Sequence, residues 1–235
     1  MTKKLLDKYE NLGLKTRTEE FRLKEFVNEA GEFDYDHYKK TQEVVNRRKI
    51  TFAGPSKDRL VGIATHVKQH IPDLKFALCH GTRRGHEQRD FNEVLGIPVI
   101  GTEISPTATE FPNTIEWDFH KVKDEWVNSV CFIYSNSIDH SYDPAMCLSQ
   151  WMKCIKPQGK IYLQYNVDQH PNTFMGTRWA ATEGIRPDEE FPADAFQGSF
   201  GAYEQIVKSA GNGKWEVTRA TFGNCPHLIV QRKTQ

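Results

Sequence analysis

Apolar residues recur at helical spacing through the first third of the chain, where charged residues are also frequent. Residues 18–27 carry an apolar stripe of this kind, and the stripe predicts a helix. A second helix is expected over residues 35–48, and a third runs from Ser56, a typical N-cap residue, to Ile71. Two or three helices are therefore expected before the pattern changes.

From Leu74 onward, short apolar runs alternate with segments that are long enough for helices. The runs lie at residues 76–79, 97–100, 130–134 and 160–165, and the clearest helix between them spans 143–155. Strands that alternate with helices form right-handed crossovers and a largely parallel sheet. The last two β-rich runs, 215–222 and 227–231, are only a few residues apart, and this spacing predicts an antiparallel hairpin at one sheet edge.

Charge and composition argue against several classes of protein. The 235 residues include 31 Lys or Arg and 31 Asp or Glu, so the formal net charge is zero. One domain, or one domain with an appendage, is expected at this length. Without a basic excess, a nucleic-acid or anionic-membrane partner is not expected. No run approaches the roughly 18 apolar residues of a membrane helix, and charges stand where a signal peptide would be apolar, so we expect a cytoplasmic protein.

The five cysteines favour the same compartment. Their number is odd and no two have Cys-x-x-Cys spacing, unlike a disulfide framework or a structural zinc site. Buried reduced thiols are therefore expected. His66 and His70 share a helix face by their i, i+4 spacing, but the Glu that follows the first His in zinc-protease helices is missing, so no metal site is predicted.

The most informative stretch is 76–87, which has the pattern of a buried strand, a tight turn with two glycines and a helix. In open α/β sheets, ligands bind at the carboxyl ends of strands, where a glycine turn lets them approach the backbone. The next strand ends in Glu103, 22 positions after Gly81. A carboxylate at about this distance accepts both hydroxyl protons of a ribose, so a nucleoside-type ligand is predicted.

Five stretches, in this order, resemble the class I S-adenosylmethionine-dependent methyltransferases, nearest to their small-molecule type 11 branch. Residues 80–85 resemble the glycine-rich first motif, and Glu103 resembles the acid that closes the second strand. Residues 117–119 resemble the loop whose Asp reaches the adenine amino group, and 133–140 resemble the fourth strand and the loop facing the methyl group. Residues 148–159 resemble the helix and turn before strand five, and the likeness covers roughly residues 58–232.

The resemblance implies a Rossmann-like, mainly parallel seven-stranded sheet with an antiparallel C-terminal hairpin and helices on both faces. It implies a methyltransferase domain over residues 56–235, preceded by an N-terminal helical extension, 1–55, that forms a lid or a dimer contact. S-adenosyl-L-methionine would be the cofactor. The residues implied to bind it are His80, Gly81, Thr82, Arg83, Gly85, Glu103, Ile104, Asp118, Phe119, Ser135 and Asn136.

The sequence departs from the family at two positions of the first motif. Cys79 stands where the family has an acidic residue, and Arg83 replaces the middle glycine. The guanidinium of Arg83 or Arg84 can pair with the methionine carboxylate, for which its planar fork is suited. The alternative is that both arginines face solvent and the turn is only structural.

The resemblance implies methyl transfer to a small molecule, and we expect an oxygen acceptor. His140, directly after Asp139 and just beyond the fourth strand, is the best-placed candidate base, because an imidazole titrates near neutral pH. It equally fits a histidine that caps the following turn. Tyr142 and Asn136 are candidate substrate contacts, while sugar, phenol, carboxylate and amine acceptors stay open.

Other partners and functions also stay open. The aromatic-rich stretch 166–200, with Arg178 and Trp179, is either a substrate-facing lid or packs on the core. No nucleic-acid, membrane or metal partner is expected, and a homodimer is an open alternative. The rival functions are a non-catalytic cofactor-binding or regulatory module and a nicotinamide-dependent oxidoreductase. The terminal hairpin and the lack of Gly-x-Gly-x-x-Gly argue against the oxidoreductase.

Overall fold

The computed structural model of the chain describes residues 2–15, 20–52, 54–165 and 195–234. Within these ranges the chain forms six α-helices and nine β-strands. The helices are α1 (Thr2–Asn11), α2 (Tyr35–Arg48), α3 (Lys57–His70), α4 (His86–Leu95), α5 (Pro144–Cys154) and α6 (Phe200–Ala210). The strands are β1 (Phe21–Leu23), β2 (Ala77–His80), β3 (Val99–Glu103), β4 (Thr114–Glu116), β5 (Val130–Ser135), β6 (Ile155–Gln164), β7 (Phe196–Gly198), β8 (Trp215–Phe222) and β9 (Cys225–Arg232).

Seven of these strands form one mixed sheet in the order β4-β3-β2-β5-β6-β9-β8. The pairs from β4 to β6 are parallel, and β9 runs antiparallel to both of its neighbours. The central strands β2 and β5 are buried along their whole length, which is why their sequences are continuous apolar runs. The predicted fold class, a mainly parallel seven-stranded sheet with an antiparallel C-terminal hairpin, is confirmed.

Helices cover both faces of the sheet and divide the core into two layers. On one face, α3 and α4 pack Leu60, Ile63 and Phe91 against side chains that include Cys79 and Phe132. The other face is covered by α5 and α6. Their buried side chains Leu148, Trp151, Ile206 and Val207 pack against Leu78, Ile133 and Ile161 of the sheet. Successive residues of a strand point to opposite faces, so Leu78 and Cys79 belong to different layers.

The terminal hairpin has the geometry that its turn residues favour. Phe222 pairs with Cys225 across a two-residue turn formed by Gly223 and Asn224. Both central residues have positive φ, 53° and 61°, as a type I′ turn requires, and Gly and Asn tolerate this region best. The predicted hairpin is confirmed, with β9 longer at both ends than the run 227–231.

The helix predicted over residues 18–27 is wrong over its described part. Phe21 to Leu23 form β1, which pairs antiparallel with β7. Phe21 and Leu23 are buried while Arg22 between them is exposed, the alternation of a half-buried strand. Three residues are too few to distinguish this alternation from a helical stripe, and the partner strand lies far along the chain. Residues 18 and 19 themselves lie outside the described ranges.

The N-terminal helix is fixed to the domain by a buried polar contact. Tyr9 donates its hydroxyl hydrogen to Asp143 Oδ1 at 2.7 Å, and the same hydroxyl accepts the N–H of Ala145 at 3.0 Å. Lys8 forms an ion pair with Asp143 at 2.7 Å. Asp143 is the N-cap of α5, so α1 and the start of α5 are held together.

All five cysteines are buried and free, as the sequence predicts. Among the described residues, no helix is both long and apolar enough to span a bilayer. The aromatic-rich stretch 166–200, including Arg178 and Trp179, lies outside the described residues up to position 194.

Candidate functional site

A cleft of about 500 Å³ opens at the carboxyl ends of β2, β3 and β5, and helix α2 lies across it. The sheet supplies one wall through the turns and loops that follow these strands and β4. Helix α2 supplies the opposite wall. The lining residues are Tyr38, Gln42, Val45, Asn46, Gly81, Arg83, Glu103, Ile104, Asp118, Phe119, Ser137 and His140. A cleft at this position of an open α/β sheet suits a small organic ligand.

The turn after β2 brings the backbone close to the loop after β5. Gly81 has a φ of 74°, and a Cβ at this position would lie 2.5 Å from Cβ of Ser137, so a side chain is excluded. Arg83 also adopts the left-handed region, with a φ of 46°, although it carries a side chain. This conformation directs the Arg83 N–H at Oε2 of Glu103 over 3.1 Å. The glycine turn and the strand-end acid are therefore joined directly.

Glu103 has the capacity to bind hydroxyl groups. It is 7% exposed, and its two oxygens accept the N–H groups of Arg83 and Ser105, each at 3.1 Å. Burial raises its pKa, while these hydrogen bonds and the nearby Arg83 charge oppose the rise. A carboxylate has about four lone-pair directions, and backbone donors use two of them here. The remaining acceptor capacity suits a pair of neighbouring hydroxyls.

Asp118 is held by a chain of buried hydrogen bonds. Its Oδ1 accepts the backbone N–H of His120 at 2.9 Å and Nδ1–H of the same residue at 2.7 Å. Its Oδ2 accepts the hydroxyl hydrogen of Tyr35 at 2.9 Å, and His120 Nε2 lies 2.8 Å from Oγ of Ser141. Burial alone would raise the pKa of Asp118, but the bonds from His120 and Tyr35 outweigh it and hold that pKa below its ordinary value.

His140 faces the cleft in an orientation set by α2. Its Nδ1 lies 3.0 Å from Oε1 of Gln42, and because an amide oxygen only accepts, Nδ1 carries the proton. In the neutral ring Nε2 is then the nitrogen that accepts a proton. Nε2 lies 3.9 Å from Oδ1 of Asp139. Tyr38 fixes the same loop, since its hydroxyl donates to the carbonyl of His140 at 3.2 Å.

Comparisons with known proteins connect this geometry to one fold. No protein-family model matches the chain, and no curated protein matches it in sequence. Among solved structures, the plantazolicin methyltransferase BpumL in complex with SAH is 13% identical, with a TM-score of 0.56 over 85% of this chain and 91% of that one. A SAM-dependent methyltransferase from Archaeoglobus fulgidus is 12% identical, with a TM-score of 0.53 over 80% of this chain and 98% of that one.

A third similar structure is the 1,6-didemethyltoxoflavin-N1-methyltransferase of Burkholderia thailandensis with 1,6-didemethyltoxoflavin and S-adenosylhomocysteine bound. It is 11% identical, with a TM-score of 0.51 over 83% of this chain and 85% of that one. The sheet order, with one antiparallel strand next to the edge, agrees with this likeness. This chain has the fold of the class I methyltransferases.

Within the methyltransferase fold, seven of the residues singled out from the sequence lie together in the cleft wall. They are Gly81, Arg83, Glu103, Ile104, Asp118, Phe119 and His140. The other six lie around it: His80, Thr82, Gly85, Ser135, Asn136 and Asp139. Gly85 is the N-cap of α4 with a φ of 70°, and Thr82 is buried beneath the turn.

His80 and Ser135 are buried and are not among the residues that line the cleft. His80 is buried with Nδ1 2.8 Å from Oγ1 of Thr102, and burial lowers its pKa to about 3. Ser135 donates its hydroxyl hydrogen to the carbonyl of His80 at 3.0 Å, and its Oγ accepts the N–H of Ser137 at the same distance. These hydrogen bonds fix the ends of β2 and β5.

The sequence analysis predicted that the N-terminal extension forms a lid or a dimer contact, but it singled out no residue of α2 for the site. Tyr38, Gln42, Val45 and Asn46 recur at helical spacing and all line the cleft. The available signal was the pair Gln42 and Asn46, four residues apart on the predicted inward face of an amphipathic helix. Amide side chains are rare on a helix face that packs only against apolar residues. A buried pair such as Gln42 and Asn46 therefore indicates that this face of the helix lies against a polar surface.

The histidine pair noted in the sequence, His66 and His70, has structural contacts instead of a metal. The rings of His66 and His70 stack with centroids 3.9 Å apart, and His66 Nδ1 lies 2.9 Å from the hydroxyl of Tyr162. Burial lowers the pKa of His66 to about 4. Across the ranges that the structure describes, no group of three or more His, Cys, Asp or Glu side chains has the arrangement of a metal site.

Proposed function

We propose that the protein transfers a methyl group from S-adenosylmethionine to a small molecule. The observation that carries this proposal is the convergence of Gly81, Glu103 and Asp118 in one cleft at the carboxyl edge of a class I methyltransferase sheet. A turn that admits no side chain, a ribose-binding acid and an acceptor for an adenine amino group are the three parts that an adenosyl ligand needs.

The donor set fits this cofactor. Glu103 has acceptor capacity for two ribose hydroxyls, and Oδ2 of Asp118 has a lone pair beyond the one that Tyr35 uses. Phe119 and Ile104 supply apolar surface for the adenine ring. Arg83 lies with its guanidinium carbon 5.7 Å from the centre of the Phe52 ring and supplies a fork for the methionine carboxylate. The bound cofactor supplies a methyl group on a sulfonium centre, which is already activated toward a nucleophile.

The protein's part in the reaction is then alignment and proton transfer. The cleft walls hold the reactants in line, and positioning of this kind supplies most of the acceleration that methyl transfer needs. Gln42 orients His140 so that Nε2 accepts the proton of an acceptor hydroxyl. Asp139, 3.9 Å from Nε2, stabilises the imidazolium that results. We therefore propose an oxygen acceptor, with nitrogen as the competing atom because one similar structure is named as an N1-methyltransferase.

A small acceptor and a cytoplasmic location complete the proposal. The cleft lies under α2 rather than on an open surface, and the chain has no net charge to attract nucleic acid. Two of the similar proteins are named for small acceptors, plantazolicin and 1,6-didemethyltoxoflavin. Five buried free thiols fit a reducing compartment. The division at residue 55 stays a prediction, with α2 as the part of the extension that would act as a lid.

Calorimetric titration with S-adenosylmethionine, S-adenosylhomocysteine and NADH tests the cofactor. We expect micromolar binding of both adenosyl ligands and no binding of NADH. Binding of NADH alone would support the oxidoreductase instead. A binding module without catalysis would bind both adenosyl ligands yet methylate nothing in a panel of hydroxyl, amine and carboxylate acceptors.

The role of His140 is tested separately with a responsive acceptor. His140→Ala is expected to lower kcat by about 10² to 10⁴, the usual contribution of a general base, while the affinity for S-adenosylhomocysteine stays within twofold. His140→Gln keeps a hydrogen-bonding group without the base and serves as the matched variant. Unchanged turnover in either variant would remove His140 from the mechanism.

A further inference from the structure

Helix α2 is hydrogen-bonded to the segments that carry both acids of the cleft. At its first residue, the hydroxyl of Tyr35 donates to Oδ2 of Asp118 at 2.9 Å. About three turns later, Oδ1 of Asn46 accepts the hydroxyl hydrogen of Thr107 at 2.9 Å, and Thr107 lies in the segment that follows Glu103. Asn46 and Thr107 are both buried, and hydrogen bonds are stronger in a low-dielectric interior than in water. These contacts hold α2 against the loops of both acids.

Between these two contacts, the same face of α2 holds the loop of the candidate base. Tyr38 donates its hydroxyl hydrogen to the carbonyl of His140 at 3.2 Å, and Oε1 of Gln42 lies 3.0 Å from Nδ1 of the His140 ring. Tyr38, Gln42 and Asn46 follow one another at intervals of four residues, so they share one face of the helix. A displacement of α2 from the two acids would therefore also break its contact with the His140 ring.

The contact with Gln42 decides which ring nitrogen of His140 can act as a base. A neutral imidazole carries one proton on its two nitrogens, and the hydrogen bond made by one nitrogen sets where that proton lies. With Oε1 of Gln42 next to Nδ1, the proton lies on Nδ1, and Nε2 presents a lone pair. With the proton on Nε2 instead, that nitrogen is a donor and cannot take the proton of an acceptor hydroxyl.

Asp139 favours the opposite tautomer. Its Oδ1 lies 3.9 Å from Nε2 of His140, too far for a hydrogen bond but close enough for its charge to attract a proton to that nitrogen. Gln42 and Asp139 therefore compete for one ring proton. Asp139 belongs to the same loop as His140, whereas Gln42 is within reach only while α2 is packed over the cleft. Loss of the α2 contact should therefore move the proton to Nε2, by exchange with solvent.

We propose that α2 switches the base on. Packed over the cleft, it holds the ring proton of His140 on Nδ1 through Gln42, and its bonds to the loops of Glu103 and Asp118 couple this state to cofactor binding. This inference rests on the proposed function, because the coupling needs an adenosyl ligand on the two acids. A ligand between the sheet and α2 contacts both walls, so it favours the packed position of the helix. Gln42 is a positioning residue, and His140 remains the catalytic one.

Nitrogen NMR of the histidine rings of the full chain tests the switch, with S-adenosylhomocysteine as the probe. The spectra distinguish a protonated ring nitrogen from one with a lone pair, and His140→Gln identifies the His140 signals. At about pH 8, above the ordinary imidazole range, we expect the ligand-saturated wild type to carry the proton on Nδ1. Gln42→Met, of similar length but without a strong acceptor, should carry it on Nε2, and Gln42→Glu, which restores an acceptor oxygen, on Nδ1.

The matched control lies next to Gln42 on the same helix. Glu43→Gln changes a residue that pairs with Lys39 at 3.8 Å, and its spectrum should match that of the wild type. With a responsive acceptor, Gln42→Met should lower kcat by about tenfold or more, up to the roughly 10² to 10⁴ that a general base contributes. Its KM for S-adenosylmethionine should stay within about twofold, and Gln42→Glu should recover most of the lost turnover.

The coupling is tested one helical turn away from Gln42. Asn46→Ala removes the contact with Thr107 and loosens α2 without changing Gln42 or His140. In the ligand-free variant, we expect a measurable share of the His140 rings to carry the proton on Nε2, and saturating S-adenosylhomocysteine should return it to Nδ1. An Asn46→Ala spectrum that is identical to that of the wild type without ligand would overturn the coupling.

The remaining outcomes separate this proposal from the function on which it rests. A ring proton on Nε2 in the ligand-saturated wild type, or on Nδ1 in Gln42→Met, would overturn the role of Gln42. If the wild type binds no adenosyl ligand, the proposed function and the coupling fail, while the spectra of the free proteins still decide the role of Gln42. Should Gln42→Met fail to fold, the spectra of the wild type and Asn46→Ala decide in its place.

Discussion

Two buried carboxylates, Asp118 and Glu87, differ in how fully the protein satisfies their charge. Asp118 receives two hydrogen bonds from His120 and one from Tyr35, and its pKa lies below its ordinary value. Glu87 is as deeply buried, yet one of its oxygens has no hydrogen-bond partner among the described residues, and burial raises its pKa to about 7. The protein satisfies the charge of Asp118 with its own hydrogen bonds, but it supplies fewer of them to Glu87. The difference teaches that the hydrogen bonds around Asp118 hold its charge in place, whereas Glu87 is buried without equivalent compensation.

The largest expected effect on the free energy of unfolding is that of a substitution at Asp118. Asp118→Asn replaces one acceptor oxygen by an amide group, which faces the N–H donors of His120 or the hydroxyl of Tyr35. A buried donor left unpaired costs about 1 to 3 kcal/mol, so we expect a loss of about 2 to 3 kcal/mol in the free energy of unfolding at pH 7. Urea unfolding measures it. A change below 0.5 kcal/mol would show that the network is not preorganised as described.

The matched substitution, Glu87→Gln, should raise the free energy of unfolding instead of lowering it. At pH 8 the wild-type protein holds Glu87 ionised and incompletely solvated, which Glu87→Gln avoids. From an ordinary value of 4.5 to about 7, the raised pKa corresponds to about 3 kcal/mol at most, so the variant should be more stable than the ligand-free wild type by about 2 kcal/mol. Urea unfolding at pH 8, with Glu93→Gln as the exposed control, measures the difference. Destabilisation by Glu87→Gln would contradict the comparison.

The pH dependence of stability sharpens the same contrast. A carboxylate whose pKa is raised on folding binds its proton more tightly in the folded state, so its contribution falls as the pH rises from 4.5 to about 7 and is constant above. The stability difference between wild type and Glu87→Gln should therefore grow over this window in the absence of ligand. A difference that does not vary between pH 5 and 8 would mean that Glu87 does not titrate there.

The smallest expected effect concerns the hydrogen bond between Tyr35 of α2 and Asp118. Tyr35→Phe removes one donor from Asp118 and leaves the ring in place. We expect a loss of about 1 kcal/mol in the free energy of unfolding and a weakening of S-adenosylhomocysteine binding by less than fivefold. Glu116 forms a surface ion pair with Lys39 of the same helix. The control variant Glu116→Gln should therefore change neither the free energy of unfolding nor the affinity for S-adenosylhomocysteine. A tenfold loss of affinity in Tyr35→Phe would move this tyrosine into the binding site itself.

The elements that the sequence predicts well are those with local signals. The parallel strands are continuous apolar runs, the hairpin has Gly223 and Asn224 at its turn, and α2 begins and ends where its pattern indicates. The strand Phe21–Leu23 was mistaken for helix because its partner, β7, lies far along the chain and leaves no local trace. Tertiary pairing overrides a weak local pattern in such short segments.

Among the buried acids, too, the sequence identified those with a local signal and missed the one without. Glu103 was found because strand ends and their spacing are readable along the chain. Glu87 was not singled out, because an acid in the first turn of a helix is ordinarily an exposed residue that interacts with the helix dipole. Its burial follows from the chain around Gly54, which packs over it, and no sequence pattern reports that contact.

The most direct test of the account is to measure the pKa values of Glu87 and Asp118 in the ligand-free protein by carbon NMR of their carboxyl groups. We predict a pKa near 7 for Glu87 and a pKa below the ordinary value for Asp118. A Glu87 pKa at or below that of Asp118 would contradict the claim that the protein satisfies the charge of Asp118 and not that of Glu87.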